Sequence, residues 1–94
     1  FLSDYQWRKK LEGEQRGVVV MLYNHDVRGL TDELIDIQHD YMNIIVSVQH
    51  LHVSESDCLE AIIVNGSGEF IRELVESLRA LRGVRQVKLA TIGG

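Results

Sequence analysis

The sequence predicts an α+β domain, a single antiparallel sheet with two helices on one face. Three observations carry this. β-rich runs and helix-spaced runs follow one another in the order βαββαβ, the split βαβ arrangement. The middle two strands are joined only by a short polar turn, "VSESD". The chain has 94 residues, enough for one core but not two.

Residues 1–14, "FLSDYQWRKKLEGE", are polar with scattered aromatics and read as the end of a helix and a linker, which leaves residues 15–94 as the domain proper. Gly17–Asn24, "GVVVMLYN", is a β-branched run of strand length. Thr31 is placed to cap a helix running to about Asn43. Its Leu30, Leu34, Ile37 and Tyr41 share one narrow face at ~100° per residue. "IIVSVQHLHV" and "CLEAIIVN" are the second and third strands. "EFIRELVESLRALRG" is the second helix, with Phe70, Leu74, Leu78 and Leu81 as its apolar stripe and Gly83 at its C-cap. "VRQVKLATI" closes the chain. In strand two, Ile44, Val46 and Val48 alternate with Ile45 and Leu51; in strand three, Ile62 and Val64 alternate with Leu59, Ala61 and Ile63. Both faces of these strands are apolar, so both need a cover. The helices supply one, and a second subunit is the expected other.

The stretch "QHLHVSESDCLE" (Gln49–Glu60) holds two of the chain's four histidines and its only cysteine. A hairpin turning at Glu55 pairs His52 with Cys58 and His50 with Glu60, and side-chain alternation sends all four to one face. Directly opposed Cβ atoms lie about 4.5–5.5 Å apart, within reach of a shared metal ion. Two imidazoles and a thiolate suit nickel, copper, zinc or cobalt and do not suit magnesium or calcium. Singly, a strand histidine is usually surface decoration and a lone cysteine a small buried hydrophobe. Their convergence with a carboxylate is what points to a metal. His39 lies roughly 170° around the first helix from its apolar stripe at ~100° per residue, facing away from its own sheet. It is either a solvated histidine or a ligand offered to a neighbouring subunit.

"DIQHDYMNIIVSVQHLHVSESDCLEAIIVNG" resembles the metal-binding core of the nickel-responsive transcriptional regulators (the NikR type). The likeness runs from Gly17 to about Ile92 and rests on His-x-His-x5-Cys-Leu-Glu with an upstream Gln-His. It implies a ferredoxin-like, ACT-type regulatory domain, a homotetramer in the cytoplasm, and one square-planar Ni2+ per subunit. The implied ligands are His50, His52 and Cys58 of one chain and His39 of a partner subunit, with Gln38, Glu60 and Tyr23 supporting them. It further implies a ribbon–helix–helix domain that binds operator DNA and whose last helix would end in "FLSDYQWRKK". His25 matches a family position near the site, and here reads as a polar residue ending a strand. Gln49, Leu51, Glu55, Gln86 and Val87 depart from the family pattern. These departures leave the four ligands intact and put secondary metal sites in doubt.

Composition narrows the alternatives. The net charge of −4 is the wrong sign for gripping a phosphate backbone unaided. No apolar run approaches the roughly 20 residues of a membrane span, and one cysteine allows no internal disulfide. An ACT module that binds an amino-acid effector would leave the His and Cys residues incidental. A zinc hydrolase with Glu60 as base would need an open position in place of His39. No nucleophile motif accompanies it, and "NGSGEF" lacks the lysine of a phosphate loop. A non-enzymatic sensor is the expectation.

Overall fold

The computed structural model describes residues 13–93, so the helix-end and linker expected for the first twelve residues lies outside the described residues. The element order is β1 (Glu14–Asn24), α1 (Leu30–Asp40), β2 (Ile45–His52), β3 (Asp57–Ser67), α2 (Gly68–Arg79) and β4 (Val84–Gly93). The strands form one antiparallel sheet in the order β2-β3-β1-β4, the ferredoxin-like α+β arrangement that the sequence predicts.

The register explains which residues reach the core. Val19, Met21 and Tyr23 of β1 share a face with Ile62, Val64, Cys58 and Glu60 of β3, and all seven are buried. Both helices pack over that face. α2 buries Ile71, Leu74, Val75 and Leu78, each worth about 1.5–3 kcal/mol relative to exposure. The expected stripe is therefore half right: Leu74 and Leu78 are core, whereas Phe70 is 46% exposed and Ile71 and Val75 take its place. α2 begins at Gly68, directly after β3, and this junction sets the helix's rotation. α1 buries Leu30 and Leu34, with Ile37 and Tyr41 packed against them.

Two end signals also differ from expectation. Thr31 lies inside α1; the N-cap is Gly29, with φ 82°, and no side chain caps the helix. The C-cap of α2 is Ala80, not Gly83. Gly83 (φ 98°) instead shapes the turn into β4, where a Cβ would meet Val27 Cγ2 at 2.8 Å.

β2 carries a bulge between Ile45 and Ser47, which breaks the simple alternation. Ile45 pairs with Val64 and packs on the core, while Val46 is 63% exposed. Beyond the bulge the register is unbroken. The helix-free face carries the rows Leu51–Leu59–Leu22, Gln49–Ala61–Val20 and Ser47–Ile63–Val18. This face is largely apolar and carries no helix. Among the described residues, no helix is long and apolar enough to cross a membrane.

Candidate metal centre

The β2–β3 hairpin turns at Glu55. Val53 N–H donates to the Asp57 carbonyl at 2.9 Å, and Ser54 Oγ accepts from Asp57 N–H at 3.1 Å. This centring opposes His52 to Cys58 and His50 to Glu60, as the hairpin reading predicts. β1 extends the first pair into a row of three, because Tyr23 lies opposite Cys58. These rows belong to the helix-covered face, at the hairpin end of the sheet, and the last turns of α1 reach over them.

Glu60 organises the buried side. It is 3% exposed, and its Oε1 accepts a short hydrogen bond from the Gln38 side-chain amide of α1. Its Oε2 accepts from the Tyr23 hydroxyl at 3.4 Å and lies 3.7 Å from His50 Nδ1. Burial pushes the Glu60 carboxyl above its ordinary range, opposed by His50 and by the Gln38 and Tyr23 hydrogen bonds. Tyr23, 3% exposed, is also pushed up, first by burial and then by the Glu60 and Cys58 charges, so its hydroxyl keeps its proton. That hydroxyl sits 2.8 Å from His50 Nε2. The Tyr23 hydroxyl thus links the His50 ring to Glu60, and the Gln38 amide donates to the same carboxylate.

Cys58 is buried, with Sγ within hydrogen-bond reach of His52 Nδ1 at 3.4 Å. The His50 and His52 rings stack at 5.8 Å between centroids, 25° from parallel. The donor chemistry thus fits a borderline transition ion: imidazole nitrogens and a thiolate, with outer groups that fix ring orientation.

Tyr23, Gln38, His50, His52, Cys58 and Glu60 therefore converge. His39, adjacent to Gln38, is solvent-exposed in the last turn of α1 and stands apart from the cluster. The residue that sequence reasoning undervalued is His25. Its backbone N–H donates to the Ser56 carbonyl at 2.8 Å, and its ring donates through Nε2 to the Glu55 carbonyl at 2.7 Å. A donor atom of His25 lies within 4.8 Å of those of His52 and Cys58. The signal that could have found it is the β1–β3 register: with Tyr23 opposite Cys58, the residue two places on must reach the hairpin turn.

Comparison with known proteins agrees with this chemistry. Residues 16–92 match the family model described as the NikR C terminal nickel binding domain. A nickel-responsive regulator of Methanocella arvoryzae is 44% identical over 92 residues, covering 98% of this chain and 66% of that protein. One of Methanococcoides burtonii is 43% identical over 91 residues, covering 97% and 65%. The chain thus spans about two thirds of the length of these relatives. An uncharacterized protein of Thermotoga maritima, at 15% identity, has the same fold, with a TM-score of 0.75 over 86% of this chain and all of its own. The chain belongs to the nickel-responsive regulator family, and the part of it seen here corresponds to that family's C-terminal nickel-binding domain.

Proposed function

We propose that this domain senses nickel for a metal-dependent transcriptional repressor. In this reading His50, His52 and Cys58 of one chain and His39 of a partner subunit are the ligands, one ion per subunit, in a homotetramer joined through the helix-free sheet faces. The bound ion supplies a square-planar preference that a single chain's three donors leave one short.

The observation that most supports the reading is the hairpin register, which opposes His52 to Cys58 and His50 to Glu60. The supporting groups follow from it. Gln38 ties Glu60 to the same helix turn that carries His39. Engagement of His39 by a neighbouring hairpin would hold the end of α1, and the Gln38–Glu60–Tyr23–His50 chain would carry that restraint into the sheet. The acidic balance of this domain leaves operator DNA to a ribbon–helix–helix segment outside the residues described, which a rigid tetramer would orient. Since the thiolate and neutral imidazoles are the binding forms, loading releases protons and weakens as pH falls.

The test is a Ni2+ titration followed by absorption in wild type, His50→Ala and His39→Ala. Loss of the thiolate-to-nickel band of a planar complex in both variants supports the reading. A spectrum unchanged by His39→Ala contradicts it.

A further inference from the structure

We propose that the groove between the end of α1 and the length of α2 is the docking site of the chain's own residues 7–10, with the Trp7 ring against its aromatic lining and the Arg8, Lys9 and Lys10 run on its carboxylates. The groove holds none of the proposed nickel ligands, and its occupation does not depend on them.

Phe70, Glu73 and Ser77 fall at i, i+3 and i+7 of α2 and form one stripe along it, about 10 Å long at about 1.5 Å per residue. Ile37, Asp40 and Tyr41 at the end of α1 line the same cavity of about 380 Å³. Its lining is therefore aromatic and aliphatic, with two carboxylates. Phe70 is 46% exposed in a helix whose other large apolar side chains are all buried. Asp40 and Glu73 make no ion pair among the described residues, whereas the nearby Arg72 is taken by Glu76 at 3.5 Å. An exposed ring beside two unpaired carboxylates suits a partner that is both aromatic and cationic.

The chain itself supplies that partner, and within reach. Gly68 N–H, at the start of α2, donates to the Gly13 carbonyl at 2.8 Å, so the chain enters β1 beside the first turn of this helix. Phe70, two residues on from Gly68, is the near end of the stripe. Gly13 has φ 73°, which takes the chain out of the extended line of β1. Trp7 lies six residues before Gly13, a span of up to roughly 20 Å, so its ring can reach any point of the groove. It is the chain's only tryptophan, and Arg8, Lys9 and Lys10 directly after it are the only run of consecutive basic residues in a chain of net charge −4.

The two kinds of contact contribute differently. Exposed ion pairs hold weakly on their own, so the indole packed on Phe70 and Tyr41 anchors the segment and the charges set its register. A second copy or a foreign peptide could offer similar chemistry, but a tethered segment is present at a far higher effective concentration. In the repressor reading, and only there, the chain preceding Trp7 leads to the DNA-binding segment, and the groove would fix the direction in which it leaves the domain.

The experiment reads Trp7 fluorescence, its emission maximum and its quenching by acrylamide, in the 94-residue chain at high and low protein concentration. The variants are Phe70→Ala, the pair Asp40→Lys with Glu73→Lys, and that pair combined with Arg8→Glu and Lys9→Glu. Wild type should emit toward the blue, resist quenching and be unchanged by dilution. Phe70→Ala and the Asp40/Glu73 reversal should each move the emission to the red and raise the quenching, and the charge swap should restore both. Urea unfolding followed by far-ultraviolet circular dichroism shows that each variant is folded. A solvent-like Trp7 in wild type, an emission that the groove variants leave unchanged, or a charge swap that restores nothing overturns the inference. A blue emission lost on dilution overturns it too, and assigns the groove to a second copy. No nickel ligand is altered in these variants, so failure here is distinct from failure of the nickel-site reading, which comes through His39→Ala in the Ni2+ titration.

Discussion

Tyr23→Phe removes a single oxygen and leaves the packing of a buried ring intact, so it isolates the hydrogen-bonded chain behind the candidate site. The hydroxyl lies 2.8 Å from His50 Nε2 and 3.4 Å from Glu60 Oε2 in a residue 3% exposed. An ordinary buried hydrogen bond contributes about 0.5–1.5 kcal/mol and one to a charged group about 1.5–3 kcal/mol, with the longer contact to Glu60 counting at the low end. The two together put the cost near 2 kcal/mol. In a domain of this size each kcal/mol moves Tm by about 4–8 °C, so the metal-free variant should melt roughly 8–16 °C below wild type. The same loss frees the His50 ring, and removing such a supporting group typically lowers metal affinity about 10–100-fold. Urea unfolding of the metal-free domain and a competitive Ni2+ titration measure the two effects. An unchanged unfolding midpoint together with unchanged affinity would show that the hydroxyl supports neither Glu60 nor His50, and the reasoning would fail.

Glu60→Gln tests the electrostatics. Burial raises the carboxyl above 4.5, so its contribution to stability is fully present below about pH 4.5 and is lost as pH rises through its folded value. Glutamine suffers no such loss, and the variant should gain stability relative to wild type as pH rises above about 4.5; a difference independent of pH would refute the upward shift. Gly17→Ala should destabilise by about 3 kcal/mol or more, because its Cβ would collide with the Ala90 carbonyl oxygen and lie 2.9 Å from Thr91 Cγ2. Thermal melts decide that, and a melting point within a degree or two of wild type would contradict the close approach of β1 and β4. Ile63→Glu places a charge in the Ser47–Ile63–Val18 row of the helix-free face, and sedimentation should show smaller species than wild type if that face joins subunits. An unchanged sedimentation coefficient would move the interface elsewhere.

The hairpin was the most legible part of the site in the sequence. Period-two alternation and a polar turn centred on Glu55 suffice to oppose His52 to Cys58, because the contact is local. His25 was not legible for the opposite reason. Its approach depends on which strand lies beside β3 and in what register, a pairing between segments more than thirty residues apart. The stripe of α2 shows a similar limit. Leu74 and Leu78 belong both to a stripe with Phe70 and to one with Ile71 and Val75, and the choice falls to the abrupt β3–α2 junction at Gly68. The bulge at Ile45–Ser47 likewise leaves no composition signal, since Ile44, Ile45 and Val46 suit either face.

A nickel site built from two chains can be restored by complementation between two variants that each lack one half of it. His39→Ala and Cys58→Ala domains are each titrated with Ni2+ alone, then unfolded, mixed and refolded together before a third titration. Sites in the mixed oligomers can draw Cys58, His50 and His52 from one chain and His39 from the other. The expected result is no planar thiolate–nickel spectrum from either variant alone and a clear one from the refolded mixture. A full spectrum from His39→Ala alone, or a mixture no better than the sum of its parts, would contradict it.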